Sequence, residues 1–250
     1  MNKKNTNQTS VVVSAISIFF ISLCASSAFA QKSDDYNKVE FYGGYSYNRA
    51  QPNTETLMIF GTSLPACSSA AAATIGANFQ TLLCQRRGFN GFDTSVAYNF
   101  SRYVGIKGDV TGHYHSEQFV DTLSGQRVTQ QTKNRGYNFL VGVQVKDNQK
   151  DARVKPFAHA LIGAARQNFT NASSGAGNFT VKSNVTSLAL KLGGGIDLRV
   201  NHRFDLRLIE VDYNPIFTRD YASSGFPLSP LSQKSKTSNN FTVGFGIVIH

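Results

Sequence analysis

Hydrophobic and polar side chains alternate with period two through most of the chain after residue 38. The clearest case is residues 91–100, where aromatic and β-branched residues on one face oppose small and polar residues on the other. Such alternation is typical of a β-strand whose two faces meet different surroundings. It predicts eight strands, at residues 39–47, 91–100, 103–114, 137–145, 156–166, 185–199, 204–213 and 240–249.

The segments that join these strands are alternately long and short. The short ones form tight turns, whereas the long ones are polar and cover residues 48–90, 115–133, 167–184 and 214–239. A closed barrel threaded through an outer membrane needs long loops outside and tight turns on the periplasmic face. We therefore predict an all-β fold, an eight-stranded antiparallel transmembrane β-barrel with four long extracellular loops and short periplasmic turns.

The polar face of the strands carries nine charged side chains, which we expect to line the lumen as a charge network. They are Glu40, Asp93, Lys107, Asp109, Lys191, Asp197, Arg199, Glu210 and Asp212. A Lys or Arg on the lipid face near the bilayer midplane costs ~2 to 4 kcal/mol, so the opposite, leucine-rich face should meet lipid. The fifth strand is apolar on both faces, and we place His159 inward. A soluble barrel would reverse this polarity, but strands of about 9 to 11 residues match a tilted membrane span.

The first thirty residues read as a secretory signal. Lys3 and Lys4 precede an apolar run at residues 11–23, and Ala28-Phe29-Ala30 has the small residues that signal peptidase needs. A transmembrane helix is the rival reading, but the apolar run is shorter than the ~20 residues of a helical span. We predict a cleaved signal peptide at residues 1–30 and a single barrel domain at residues 31–250.

The order of several short motifs resembles that of the OmpA-like eight-stranded outer-membrane barrels. The motifs are Val-Glu-Phe-Tyr-Gly-Gly-Tyr at residues 39–45, Lys-Pro-Phe-Ala-His-Ala at 155–160, Gly-Gly-Gly-Ile-Asp at 193–197 and Val-Asp-Tyr at 211–213. The end of the chain is similar to the assembly signal of such barrels, through Thr242, Gly244, Ile247 and Ile249. We expect a monomeric bacterial outer-membrane protein that is inserted by the barrel-assembly machinery and needs no cofactor.

Two cysteines remain after the signal, Cys67 and Cys84, both in the first long connection. An even count in an exported chain favours one disulfide, with a free pair as the alternative. Residues 70–73 and 79–83, between the two cysteines, are candidates for short helical structure. We expect the bridge to stiffen an exposed loop.

One stretch has the residue types of nucleophilic or metal chemistry, namely His113, His115, Ser116 and Glu117. A lipid A deacylase would need Ser, His and a carboxylate together. No second element supplies a partner, so the plainer interpretation is a polar strand end near the membrane surface. We predict no catalytic and no metal site.

The net charge points to anionic partners. The formal charge is +10, and removal of Lys3 and Lys4 with the signal lowers it to +8. Within the four long connections, nine basic residues outnumber four acidic ones: Arg49, Arg86, Arg87, Arg127, Lys133, Lys182, Arg219, Lys234 and Lys236 against Glu55, Glu117, Asp121 and Asp220. Basic outer loops suit lipopolysaccharide phosphates or another surface ligand, and nucleic acid would be a partner only outside a membrane. We expect a structural or surface-interaction role, with a narrow solute channel or a lipid A-modifying enzyme as alternatives.

Overall fold

The computed structural model describes residues 36–52, 54–59, 62–123, 125–175, 179–218, 221–223, 231–235 and 237–250. Its strands are β1 Val39–Ala50, β2 Thr54–Ile59, β3 Thr62–Pro65, β4 Arg87–Asn99, β5 Val104–Leu123, β6 Gln126–Lys146, β7 Val154–Ser174, β8 Phe179–Arg199, β9 Phe204–Phe217, β10 Tyr221–Ser223, β11 Leu231–Ser235 and β12 Ser238–Ile249. Two helices, α1 Ser69–Ile75 and α2 Ala77–Cys84, lie between β3 and β4. The predicted signal, residues 1–30, lies outside the described residues.

Eight of these strands close into an antiparallel barrel in the order β1-β12-β9-β8-β7-β6-β5-β4. The barrel closes because β1 pairs with β4 on one side and with β12 on the other, where Phe41 faces Ile249. The predicted all-β eight-stranded barrel is confirmed. A second sheet, in the order β10-β11-β2-β3, joins the first long connection to the fourth. Among the described residues, no helix is long and apolar enough to cross a membrane.

The outer surface of the barrel is an apolar belt. On β6, Phe139, Val141 and Val143 each leave about half of their surface exposed, and the other barrel strands expose large apolar side chains in the same way. A continuous apolar exterior of this size is unfavourable in water, where monomers rarely expose such patches. The alternation therefore has the polarity predicted for a barrel in lipid.

Four of the strands extend well past the apolar belt. The pairing of β5 with β6 continues to Leu123 and Gln126, and that of β7 with β8 continues to Ser173 and Phe179. The second and third long connections are thus mostly paired strand rather than loop. The predicted strands ended too early because the extensions are polar on both faces, which removes the period-two signal. On β5 alone the extension adds nine residues, or about 30 Å of strand.

The opposite end of the barrel carries the short turns. The Arg102 guanidinium donates two hydrogen bonds to the Asp147 carboxylate, at 2.9 and 3.0 Å, and so joins two neighbouring turns. This hydrogen bonding holds the pKa of Asp147 below its usual value. In the next turn, Asn201 Oδ1 accepts hydrogen bonds from the backbone N–H groups of Arg203 and Phe204. The turns at this end are therefore short and internally bonded.

Candidate functional site

The lumen of the barrel contains many ionisable side chains. Of the nine charges predicted to face it, eight are buried there: Glu40, Asp93, Lys107, Asp109, Lys191, Asp197, Glu210 and Asp212. Arg199 is not among them, because it lies at the short-turn end and pairs with the exposed Asp151 at 3.1 Å. The strands bring further groups inward that the sequence reasoning did not name: Lys146, Lys155, Asp205, Arg207 and His250.

Lys191 is the centre of the layer of the lumen nearest the long connections. Its Nζ lies 2.8 Å from Asp93 Oδ2, 3.0 Å from Asp109 Oδ1 and 3.5 Å from Asp212 Oδ2. These carboxylates come from β4, β5 and β9, whereas the lysine comes from β8. One ammonium group therefore links four strands across the interior.

The next layer is built around Lys107 and Glu210. Lys107 Nζ lies 3.2 Å from Glu210 Oε1 and 3.4 Å from the Nδ1 atom of His159. The other ring nitrogen of His159 lies 3.0 Å from Asp212 Oδ1, which connects this layer to the one around Lys191. The predicted inward orientation of His159 agrees with this placement.

Arg207 occupies the third layer and is bonded on every side. Its guanidinium donates to both oxygens of Asp197, at 2.8 and 3.0 Å, and to Glu210 Oε2 at 2.8 Å. Its planar faces lie 4.1 Å from the ring centroid of Tyr42 and 4.0 Å from that of Phe157. Such a stacked, bidentate arrangement suits arginine and could not be made by lysine.

The network ends at the short turns. Lys146 Nζ lies 2.9 Å from Glu40 Oε1 and 2.8 Å from Asp197 Oδ2. Beside this pair, Asp205 Oδ2 accepts from Lys155 Nζ at 2.8 Å and lies 2.8 Å from His250 Nε2. Ion pairs and hydrogen bonds therefore run from the turn end of the lumen to the level of Asp93.

One wall of the lumen is apolar rather than charged. Five inward residues on β6, β7, β8 and β9 pack together there: Leu140, Leu161, Ala165, Ala189 and Ile216. An eight-stranded barrel is just wide enough for its own side chains. Between this apolar wall and the ion pairs, the interior is occupied by the protein itself.

Two triads in the lumen have donor atoms close enough to share a cation. His159, Glu210 and Asp212 form one, and Asp93, Asp109 and Glu210 form the other, with donor atoms within 4.8 Å of one another. In both triads the carboxylates already contact the ammonium group of Lys107 or Lys191. A bound metal would have to displace these lysines, so the triads fit internal ion pairing better than a metal centre.

Above the lumen, the first long connection is fastened to the inner side of β5. The inward carboxylate of Asp121 accepts hydrogen bonds from the backbone N–H groups of Asn78 at 2.9 Å and Phe79 at 3.1 Å, in the first turn of α2. A carboxylate at a helix N-terminus satisfies donors that have no partner inside the helix. The Asn78 side chain also donates to the carbonyl of Val120 at 2.8 Å.

The disulfide and the stem of this connection add further restraints. Cys67 and Cys84 are bonded to each other, with their Cα atoms 5.7 Å apart. Near the start of β4, Arg86 donates to the carbonyl of Asn239 at 3.1 Å, and Arg87 pairs with Glu117 on β5. The connection joins β1 to β4, and these contacts tie it to β12 on one side and to β5 on the other. The disulfide is therefore one of several restraints on it.

The candidate catalytic stretch on β5 is divided between the two faces of the strand. His113, His115 and Glu117 point inward, whereas Ser116 is exposed on the outer face. His113 Nε2 lies 2.9 Å from the hydroxyl of the buried Ser46, and His115 Nε2 lies 3.4 Å from Glu117 Oε2. Ser116 therefore does not meet either histidine.

The residues of the predicted assembly signal lie on β12. Thr242 and Gly244 face the interior, while Ile247 and Ile249 are exposed on the outer face at 52% and 44%. The two isoleucines belong to the apolar belt. Their role in assembly stays a prediction.

Comparison with known proteins is informative for the fold. No protein-family model matches the sequence, and no curated protein matches it. The outer membrane protease OmpT from Escherichia coli aligns with a TM-score of 0.51 and 8% identity, over 89% of this chain and 98% of that one. This chain has the fold of the outer-membrane β-barrels. The alignment with OmpT shows the fold alone, and an enzyme shares it.

Two further solved structures align over similar lengths. Ail, the attachment invasion locus protein of Yersinia pestis, was solved in complex with the heparin analogue sucrose octasulfate. It is 14% identical, with a TM-score of 0.45, and the alignment covers 85% of this chain and 100% of Ail. The outer membrane protein OprG from Pseudomonas aeruginosa is 12% identical, with a TM-score of 0.45 and coverage of 86% and 96%.

Proposed function

We propose that this outer-membrane barrel is a monomeric scaffold with a closed lumen, and that its role is structural and interactive. It would support envelope integrity and present its extended hairpins and long connections to ligands at the cell surface. Lipopolysaccharide and the barrel-assembly machinery are the partners that this role requires. The signal peptide and the periplasmic position of the short turns belong to the same proposal.

The observation that carries this proposal is the filled lumen. Conduction needs a continuous path of water, whereas here the side chains of five cations and seven carboxylates bond to one another through the interior: Lys107, Lys146, Lys155, Lys191, Arg207, Glu40, Asp93, Asp109, Asp197, Asp205, Glu210 and Asp212. Opening such a path would strand several of these charges in an interior of low polarity. A closed barrel therefore agrees with the geometry better than a solute channel.

Catalysis is the less favoured alternative. A Ser-His-carboxylate enzyme needs the hydroxyl within hydrogen-bond reach of the imidazole. On β5 the serine and the histidines lie on opposite faces, and Ser46, which does contact His113, is fully buried. Neither arrangement offers a nucleophile to a lipid substrate.

The test has two parts. The protein should fractionate with outer membranes and migrate differently on a gel when unboiled, as folded barrels do. Purified protein reconstituted into planar bilayers should give no steady conductance. A porin measured under the same conditions is the positive control. Recovery from the soluble periplasm without a mobility shift would reject the membrane location. Stable channels of uniform size would reject the closed lumen and favour the solute channel.

A further inference from the structure

Four basic side chains share one patch on the outer wall of the barrel, which we call the basic wall. Lys133 and Arg135 are on β6, Arg166 is on β7 and Lys182 is on β8. All four are exposed and belong to the outward parity of their strands. Arg166 is the last residue of a predicted strand, and Arg135 lies two residues before another. Neither belongs to the predicted long connections, so neither was counted in the charge of the loops.

The register of the sheet brings the four together. Lys133 and Lys182 both face Thr170, so they lie in one row, two strand spacings or about 10 Å apart. Arg135 is two residues below Lys133, and Arg166 faces Tyr137 in the row below that. Outward residues on such diagonal positions are about 7 to 8 Å apart, within the reach of one arginine side chain towards another.

In the part of the chain that the structure describes, no acidic side chain pairs with this patch. The outward residues around it on β5, β7 and β8 are uncharged: Ser116, Gln118, Asn168, Thr170, Asn184 and Thr186. Among the described residues, none of the four basic side chains forms an ion pair, and Glu117, the nearest acid along β5, points inward to Arg87. Four like charges held this close by a rigid sheet favour an anionic ligand.

The basic wall lies at the upper edge of the apolar belt. Tyr114 lies beside Arg135 on the neighbouring strand, and Tyr137 lies two residues below Arg135 on β6. The two tyrosine rings contact each other edge to face, with centroids 5.8 Å apart. Tyrosines of this kind mark the interface between hydrocarbon and headgroups. Below them Phe139 begins the apolar belt of β6. A barrel held in lipid at this depth has the basic wall at the level of the lipid phosphates.

We propose that the basic wall binds the phosphorylated sugar headgroup of lipopolysaccharide in the outer leaflet. The proposal rests on the outer-membrane location and orientation proposed above. Arginine matches a phosphate with two parallel hydrogen bonds. The four charges extend over about 10 Å across the strands and about 13 Å along them, which suits a headgroup with more than one phosphate better than a single phosphodiester. Asn168, Asn184 and Thr170, which lie among the cations, offer hydrogen bonds to sugar hydroxyls.

The experiment compares two double variants of the folded protein in detergent. Arg135→Gln with Arg166→Gln removes the two arginines nearest the belt. Arg153→Gln with Arg203→Gln is the matched control, because both arginines are exposed in the connections at the short-turn end, away from the basic wall. Both variants must first show the heat-dependent mobility of a folded barrel. Binding is then measured with three probes: lipopolysaccharide, the same lipopolysaccharide after removal of its phosphates, and phosphatidylglycerol micelles.

We expect the first variant to bind intact lipopolysaccharide at least about tenfold more weakly than the wild type, because two charge-assisted contacts are lost. The control variant should retain wild-type affinity, and removal of the phosphates should lower binding to the wild type as much as the double substitution does. Equal losses in both variants would overturn the proposal, as would unchanged binding in the first variant. A loss confined to phosphatidylglycerol would assign the patch to phospholipid. A protein that fractionates with outer membranes but fails here would leave the proposed scaffold role intact.

Discussion

Lys191 offers the most direct test of the idea that the lumen is held together by mutual ion pairing. Lys191→Leu keeps an apolar but shorter side chain and removes the ammonium group that three carboxylates share. Asp109 retains Lys107 at 3.6 Å, and Asp212 retains His159 at 3.0 Å. Asp93 is left with no cation within 4 Å in the described part of the barrel, and Lys107 acts on it only from a greater distance. The substitution thus strands one carboxylate rather than three.

Breaking a buried ion pair by removing one partner typically costs about 3 to 5 kcal/mol. Because only Asp93 loses all of its pairing, we expect the free energy of unfolding to fall by about 3 kcal/mol, at the lower end of that range. Lys182→Leu is the control, since a substitution of an exposed side chain changes stability by about 0.5 kcal/mol or less. The assay is urea unfolding of the refolded barrel in lipid at pH 7, followed by the gel mobility of unboiled samples.

A second substitution separates a stranded charge from a simple packing defect. If Asp93 is the source of the loss, Asp93→Asn in the Lys191→Leu background should recover stability, whereas Asp93→Asn alone should reduce it. Such non-additivity is expected for residues in direct contact. A loss below about 1 kcal/mol for Lys191→Leu, the range of an ordinary surface ion pair, would contradict the stabilising role of Lys191 in the lumen. Failure of Asp93→Asn to rescue would show that Asp93 is not the source of the loss.

Two further predictions concern the first long connection. Cys67→Ser should leave barrel assembly and gel mobility unchanged while the connection is cut faster by protease, since a bridge across a loop of this size contributes about 3 kcal/mol in the chain-entropy model; covalent dimers or free thiols in the wild type would contradict the intramolecular bridge. Asp121→Ala removes the acceptor at the N-terminus of α2, worth about 1 kcal/mol, and should also speed cleavage of the connection without lowering the urea midpoint of the barrel; unchanged cleavage would show that Asp121 is not what fastens it.

Much of the barrel could be predicted from the sequence because lipid and water impose opposite requirements on alternate residues. On β4 and β12, the apolar parity of residues 91–100 and 240–249 is the exposed face in the structure. The same reasoning placed His159 inward although both faces of β7 are apolar. Alternation of apolar and polar residues no longer marks a strand where both faces of the strand meet water. Residues 115–123 and 126–136 are strand, yet they contain no alternation that a pattern could detect.

The candidate site was predicted less completely, for reasons of position rather than of chemistry. Lys146 and Lys155 lie just outside the predicted limits of their strands, so their inward direction could not be assigned. Arg199 was placed in the lumen by parity, but it lies at the turn end, where solvent and Asp151 are within reach. Strand limits are the least reliable part of a sequence-based prediction, and charged residues at strand ends are affected most.

The inward position of Arg207 could not be predicted for a different reason, an irregularity in β9. This irregularity links the geometry of β9 to the ion-pair network of the lumen. The register of β9 shifts against both β8 and β12 between Arg207 and Glu210, and Leu208 and Ile209 both point outward, with exposures of 47% and 43%. Two neighbouring residues on one side of a strand indicate a β-bulge.

Without that bulge, strict alternation from Glu210 would turn Arg207 outward and Leu208 inward. An arginine on the lipid face costs up to about 2 to 4 kcal/mol, the cost at the midplane, and the carboxylates of Asp197 and Glu210 would lose their shared partner. With the bulge, Leu208 and Ile209 both face lipid, and the guanidinium of Arg207 contacts two acids and two aromatic rings. A bulge leaves one residue without its ladder partner, which costs about one hydrogen bond, or roughly 1 kcal/mol net. The cost of placing Arg207 in lipid therefore favours the bulge in β9. The bulge in turn brings the guanidinium into the ion-pair network of the lumen.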